Sequence, residues 1–388
     1  MRPVATLFRE QGYDQDAVDY LKHDFDVIDA RRNATDGTIR QMDLQFAQSS
    51  FNLGRSHQVQ GQLQQAIDYY RQGLSVLPES AQAHYHLANA LAETNKPDEA
   101  IASLRMALDL NEELYEARLK LSQLLRRQGN RQEAESQLQR LLAHRSDDAD
   151  ALFTMGMLKA EQGNQAAALD LFFRVISVDP TRVDSWTNAG SLLAKMGRIE
   201  QAKAALSRAI ELDDSNLQAR ISLGGLYGAT QNLEQAILQF REALTIDPQN
   251  NAARQGLAQA FLASGDFIEA GKQFESAIRL NSRDFNSFAR LAWLRATAPD
   301  ASARNGAQAV QIAARLAEAT RNRNPQILDI LAAAQAETGQ FELAVETVQK
   351  AINLTAGTPE STALQERLKL YQNQKAYREV HRSHQSNP

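Results

Sequence analysis

The chain of 388 residues contains no cysteine. That removes disulfides, thiol nucleophiles and cysteine-ligated zinc together, while leaving the compartment open, because a cysteine-free chain suits cytoplasm or periplasm equally. Aromatic residues make up only 6% of the chain, and Gly (19) and Pro (9) are sparse. No run of roughly 18 apolar residues occurs, so no membrane-spanning helix is expected. The opening stretch from Met1 to Arg9 is too polar for a signal peptide. The formal net charge is −5, with neither an acidic nor a basic tail. Without a basic stripe, nucleic-acid binding is not expected. The P-loop, G-x-S-x-G and H-E-x-x-H patterns are all missing. No catalytic residue, cofactor or metal is therefore expected.

What the chain has in quantity is Ala, Leu, Gln and Glu, the composition of a mostly helical protein, at a length beyond one ordinary core. It also repeats itself. Leu53-Gly54, Ala66, Tyr70 and Pro78 recur as Met155-Gly156, Ala168, Phe172 and Pro180, and again as Leu223-Gly224, Ala236, Phe240 and Pro248. The period is 34 residues, and frames opening at residues 47, 81, 115, 149, 183, 217 and 251 stay in phase without an insertion. These spacings resemble the tetratricopeptide-repeat pattern. The resemblance covers roughly residues 47–380 and implies an all-α, right-handed superhelix (an α-solenoid) of about nine helix pairs plus a C-terminal capping helix.

Each recurring position has a physical reason. The small residue of helix A (Gly54, Gly156 and Gly224 among them) lets helix B approach closely. The Ala opening helix B (Ala66, Ala100, Ala134, Ala168, Ala202, Ala236, Ala270) sits where the two helices cross. Gly61, Gly129, Gly163, Gly197 and Gly265 fall between the helices, where a left-handed turn suits glycine. Asp-Pro at 179–180 and 247–248 stops helix B.

The ends are less regular. Residues 1–46 read as an N-terminal helical cap or docking arm. Gly12 and Ala17 keep the repeat spacing, Tyr13 falls one place early, and Val18, Leu21, Phe25 and Ile28 form one face of a helix from Asp16 to Arg31. Seven in-phase repeats fill 47–284, two variant repeats fill 285–357, and a capping helix (about 359–377) with a polar tail fills 358–388. Repeat 8 carries a longer connection at Ala298-Pro299-Asp300-Ala301-Ser302. This C-terminal stretch, from Leu291-Ala292-Trp293-Leu294 to Ala376-Tyr377-Arg378-Glu379, resembles the cap of many bacterial tetratricopeptide arrays, some of them joined to membrane-embedded or glycosyltransferase-like portions. A capped array is expected to be a monomer.

Several residues invite a chemical reading and do not sustain it. Gly224, Gly225 and Gly228 fall inside a helix, where small residues serve packing. His84 and His86 are two apart on a helix, so they point apart. His381 and His384 lie in the tail.

The resemblance places the binding wall on helix A, at the second, fifth, sixth, ninth, twelfth and thirteenth positions of each repeat. Charges there are Arg55, Lys120, Arg126, Arg127 and Lys195 against Glu93, Glu116, Asp150, Glu161 and Asp184, so the signs cancel. All belong to repeats 1–5. Repeats 6 and 7 offer Ile221, Gly225, Gly228, Ala229, Ala252, Gly256, Leu262 and Ala263 instead. That neutrality fits either tight coiling or a trough for an apolar or extended segment. Lys120, Arg126 and Arg127 cluster as a receiver for a carboxylate or as a solvated basic face. The carboxylate clamp of chaperone adaptors is absent: its places hold Phe51, Arg55, His86, Glu116 and Lys120, or, one repeat later, Tyr85, Asn89, Lys120, Asp150 and Thr154. The asparagine ladder of the O-linked glucosaminyl transferase branch is reduced to Asn52 and Asn188. Trp293, at the ninth position of repeat 8, is either a groove anchor or part of the cap core. The expected partner-binding set is Asn52, Arg55, Tyr85, Asn89, Lys120, Gln123, Arg126, Arg127, Asn188 and Trp293. The function expected is a non-catalytic scaffold holding a segment of a protein or peptide partner in this groove. The alternative is a substrate-recruiting or regulatory part of an enzyme system such as a glycosyltransferase.

Overall fold

The computed structural model describes residue 19 and residues 21–28, 39–356 and 358–379. Among them every regular element is a helix, and none is long and apolar enough to cross a membrane. The tail with His381 and His384 lies outside the described residues, as do Gly12, Tyr13, Ala17 and Val18.

The chain divides into two compact units, one ending at Ser185 and the other starting at Trp186. In the first, repeat 1 pairs Ile39–Val59 (helix A) with Leu63–Val76 (helix B), repeat 2 pairs Ala81–Glu93 with Pro97–Leu110, repeat 3 pairs Tyr115–Arg127 with Arg131–His144, and repeat 4 pairs Ala149–Glu161 with Gln165–Val178. The division falls within helix A of repeat 5, Val183–Lys195, whose helix B is Ile199–Leu212. In the second unit, repeat 6 pairs Leu217–Ala229 with Leu233–Ile246, repeat 7 Asn251–Ser264 with Phe267–Leu280, repeat 8 Phe285–Thr297 with Gly306–Ala319, and repeat 9 Pro325–Glu337 with Phe341–Leu354. The helix Glu360–Gln372 closes the series.

The helices start and cross where the side chains dictate. Asn130, Asn164, Asn232 and Asp266 cap B helices by accepting a backbone N–H three residues on. The crossing alanines Ala66, Ala100, Ala134, Ala168, Ala202, Ala236 and Ala270 are each fully buried. A Cβ on Gly54 would stand 2.8 Å from the Tyr70 ring, and one on Gly156 2.9 Å from Phe172, so the aromatic of helix B fills the space those glycines leave. The turn glycines Gly61, Gly129, Gly163, Gly197 and Gly265 all have φ between +74° and +85°. Repeats 2 and 6 make the same turn with Asn95 and Gln231 at φ +59° and +60°.

Two expectations are corrected, and the longer repeat 8 connection is given its bounds. Helix A of repeat 1 begins at Ile39 rather than near residue 47, so the segment ahead of the frame is partly an extension of that helix. Phe46 on the extension packs against Phe25 (ring centroids 4.9 Å), which also meets Tyr69 edge-on, and Leu21 is buried with Leu53. The last helix stops at Gln372 rather than near 377, because Gln374 adopts φ +53° and turns the chain back on itself. The segment that follows returns to repeat 8, where the Glu379 backbone N–H donates to the Thr297 carbonyl at 2.9 Å. The connection in repeat 8 runs from Ala298 to Asn305 and carries a 3-10 turn, Ala301–Ala303, which rests on helix B of repeat 7.

Candidate binding cleft

The A helices of repeats 2 and 3 carry a polar cleft of 400 Å³. Tyr85, Asn89, Lys120 and Gln123 line it together with Gln58, Glu93, Glu116 and Leu119. Helical spacing explains the company. Residues 85, 89 and 93 lie one turn apart on a single helix, as do 116, 119/120 and 123 on the next, so each helix presents one stripe. All eight occupy the second, fifth, sixth, ninth, twelfth or thirteenth place of the 34-residue frame. Gln58, Glu93, Glu116 and Leu119 stand outside the expected set, yet the same positional rule reaches them.

Some of these side chains are engaged and others are not. Gln58 Oε1 accepts from the Tyr70 hydroxyl at 3.0 Å, while its Nε2 donates weakly to Glu93 at 3.5 Å. Glu116 pairs loosely with Arg145 at 3.7 Å. Among the described residues, the Asn89, Lys120 and Gln123 side chains make no hydrogen bond or ion pair, so two carboxamides and an ammonium face the cleft with their bonding capacity unused. Tyr85 and Leu119 add apolar wall beside them.

The remaining candidates are placed elsewhere. Arg126 is half-buried and ion-paired with Glu161 of the next repeat, and Arg127 is exposed and lines no part of the cleft. The expected three-residue basic cluster is therefore reduced to Lys120, because helix packing gives Arg126 an acid of its own. Arg55 is exposed beside His86, whose imidazole is held below its usual pKa first by burial and then by that guanidinium. Asn52 is half-buried and not part of the cleft, and Asn188 lies in the second unit. Trp293 is covered by its own chain: its Nε1–H donates to Glu379 at 3.0 Å, Tyr377 packs at 5.8 Å, and the Arg367 guanidinium stands 5.6 Å from the ring. In repeats 6 and 7, Gly225, Gly228, Ala229, Gly256 and Ala263 line a second space of 380 Å³. A Cβ on Gly256 would collide with Phe240 at 2.4 Å, whereas one on Gly225 would meet nothing, so packing accounts for the first glycine and not the second.

Recurring helical hairpins, each stacked on the next within its unit, define a repeat-solenoid protein. The family model for the tetratricopeptide repeat matches residues 51–113, 119–180 and 187–251, and a second model of the same description matches 229–292. The chain belongs to the tetratricopeptide-repeat family. No curated protein matches it significantly. Among solved structures it is similar to pilF of Pseudomonas aeruginosa (17% identity, 57% of this chain and 99% of that one, TM-score 0.50). It is also similar to a tetratricopeptide repeat protein from Parabacteroides merdae ATCC 43184 (16%, 76% and 99%, TM-score 0.45). MamA from Desulfovibrio magneticus RS-1 is a third (24%, 44% and 98%, TM-score 0.42). These are likenesses of fold.

Proposed function

We propose that this chain is a non-catalytic scaffold that holds an extended segment of a partner protein in the cleft between the A helices of repeats 2 and 3. The observation that carries this reading is the convergence of Asn89, Lys120 and Gln123, all unengaged, on one cleft. Side-chain carboxamides both donate and accept, so Asn89 and Gln123 suit the N–H and C=O groups of an extended backbone. Lys120 suits a carboxylate on the bound segment, and Tyr85 with Leu119 a modest apolar side chain. A cleft of this size and polarity fits affinity on the order of micromolar.

Affinity capture from native lysate tests the proposal, comparing wild type with an Asn89→Ala/Lys120→Ala variant and an Arg127→Ala control. The expected result is a protein enriched by wild type and control but lost by the cleft variant. Equal enrichment by all three would move binding away from the cleft, and no enrichment by any would remove the support for a scaffold.

A further inference from the structure

A groove of 720 Å³ lies between helix B of repeat 7 and helix B of repeat 8, within the usual range for binding pockets of roughly 300–1,000 Å³. Ile278, Phe285, Phe288, Leu291 and Ile312 give it an apolar floor, and Ser282, Gln308 and Gln311 are among its polar lining. Phe285 is 56% exposed, a large apolar surface for a soluble helix to leave in water.

A comparison with repeat 3 shows why the groove is open. Tyr115 and Phe285 both begin helix A of their repeats. Over Tyr115, the last residue of helix B (His144) packs at 5.9 Å, and the next residue, Arg145, lays its guanidinium 4.3 Å from the ring. The matching places in repeat 8 hold Ala319 and Thr320, which are too short to roof Phe285. Beside the groove, Arg295 donates to Glu275 at 2.9 Å and to the Ala303 carbonyl at 2.8 Å, tying the 3-10 turn of the long repeat 8 connection against helix B of repeat 7.

The charge around the groove runs against that of the chain. Its one lining acid, Glu275, is taken by Arg295. Its two other charged residues, Arg279 and Arg315, are exposed and have no ion-pair partner among the described residues. Arg279 bonds only to the Ser276 hydroxyl. Two unpaired guanidiniums beside an apolar floor, in a chain of net charge −5, call for an apolar ligand that brings carboxylates.

We propose that this groove docks an acidic amphipathic helix of a partner protein, its apolar stripe on Phe285, Phe288 and Ile312 and its carboxylates on Arg279 and Arg315. A helix laid between two helices is an established mode of recognition, with anchors one turn apart.

The test is a phage-displayed library of amphipathic helices with randomised polar positions, selected on the full chain. Selected peptides are then measured by fluorescence anisotropy against wild type, Arg279→Ala/Arg315→Ala and Phe285→Ala. All three altered residues are exposed, and circular dichroism checks that the variants keep their helix content. Enriched helices should carry Asp or Glu beside the stripe, and their affinity should fall by about tenfold or more on both variants and weaken with added salt. They should bind Asn89→Ala/Lys120→Ala unchanged. The proposal is overturned if no helix is enriched, if enriched helices lack acids, or if they bind the groove variants as tightly as wild type. Displacement of the selected helices by dodecanoate at comparable affinity would reassign the groove to a small amphiphile. Concentration-dependent dimerisation abolished by Phe285→Ala would reassign it to a second copy of the chain.

Discussion

Repeats 1–7 and the region from repeat 8 to the last helix are held together by different means. In the regular repeats, cohesion comes from size: fully buried alanines at each crossing, and glycines against which aromatic rings lie. Ion pairs there are mostly on the surface, as in Arg71–Glu99 and Arg105–Glu133, and contribute little. After the repeat 8 connection the register breaks, and shielded charge takes over. Arg304 pairs with Glu337, Arg367 donates twice to Asp329 at 2.8 Å, and Arg378 reaches back to Glu337. The Arg367 and Asp329 side chains are only 14% and 12% exposed. Burial raises the Asp329 carboxyl above its ordinary range although Arg367 pulls it down, so desolvation outweighs pairing. A repeat that keeps its period can be held by small residues alone, whereas a broken one needs partners chosen individually.

The largest expected effect breaks a shielded pair. Asp329→Ala should destabilise by about 3–5 kcal/mol in urea unfolding, because Arg367 is left without its acid. Replacing both residues with Leu should recover most of that loss. A double variant as unstable as the single one would mean that the pair itself stabilises this end. In the regular region, Ala236→Leu should overpack one crossing and lower stability by roughly 1–3 kcal/mol, and an unchanged melting midpoint would contradict the crossing role.

At the junction, Asp284 caps helix A of repeat 8 while accepting from Ser287, Asn251 and Gln255. Burial pushes its carboxyl up, but these hydrogen bonds together hold it below its ordinary pKa. Its contribution is therefore present above the unfolded carboxylate range and lost as pH falls through the depressed value. Asp284→Ala should cost about 1 kcal/mol near neutral pH, and the gap to wild type should narrow in acid urea titrations. A gap that stays constant with pH would assign the effect to packing. The smallest change is a gain. Gln231 holds a left-handed turn that glycine holds in six other repeats, so Gln231→Gly should stabilise by up to about 1 kcal/mol in thermal melts. A loss would show that the Gln231 side chain contributes more than its backbone strain removes.

The sequence was most informative where structure repeats. Small residues at a 34-residue period reveal crossings and turns, and the same period places all eight cleft residues on one face of their helices. It was less informative where contacts join distant residues. Nothing near Trp293 signals that Tyr377 and Glu379 return to cover it, since that depends on a left-handed Gln374. The pairing of Arg126 with Glu161, 35 residues on, was equally hidden, although one period plus one residue is a separation that neighbouring A helices can bridge. The groove at Phe285 depends on a missing roof, and only comparison with Tyr115 in three dimensions makes that absence visible.

Hydrogen–deuterium exchange on the chain with and without a captured partner tests the scaffold claim most directly. Slower exchange confined to residues 85–93 and 116–123 is the result expected of a segment held in the cleft. Unchanged exchange in both stretches, with protection elsewhere or nowhere, would contradict it.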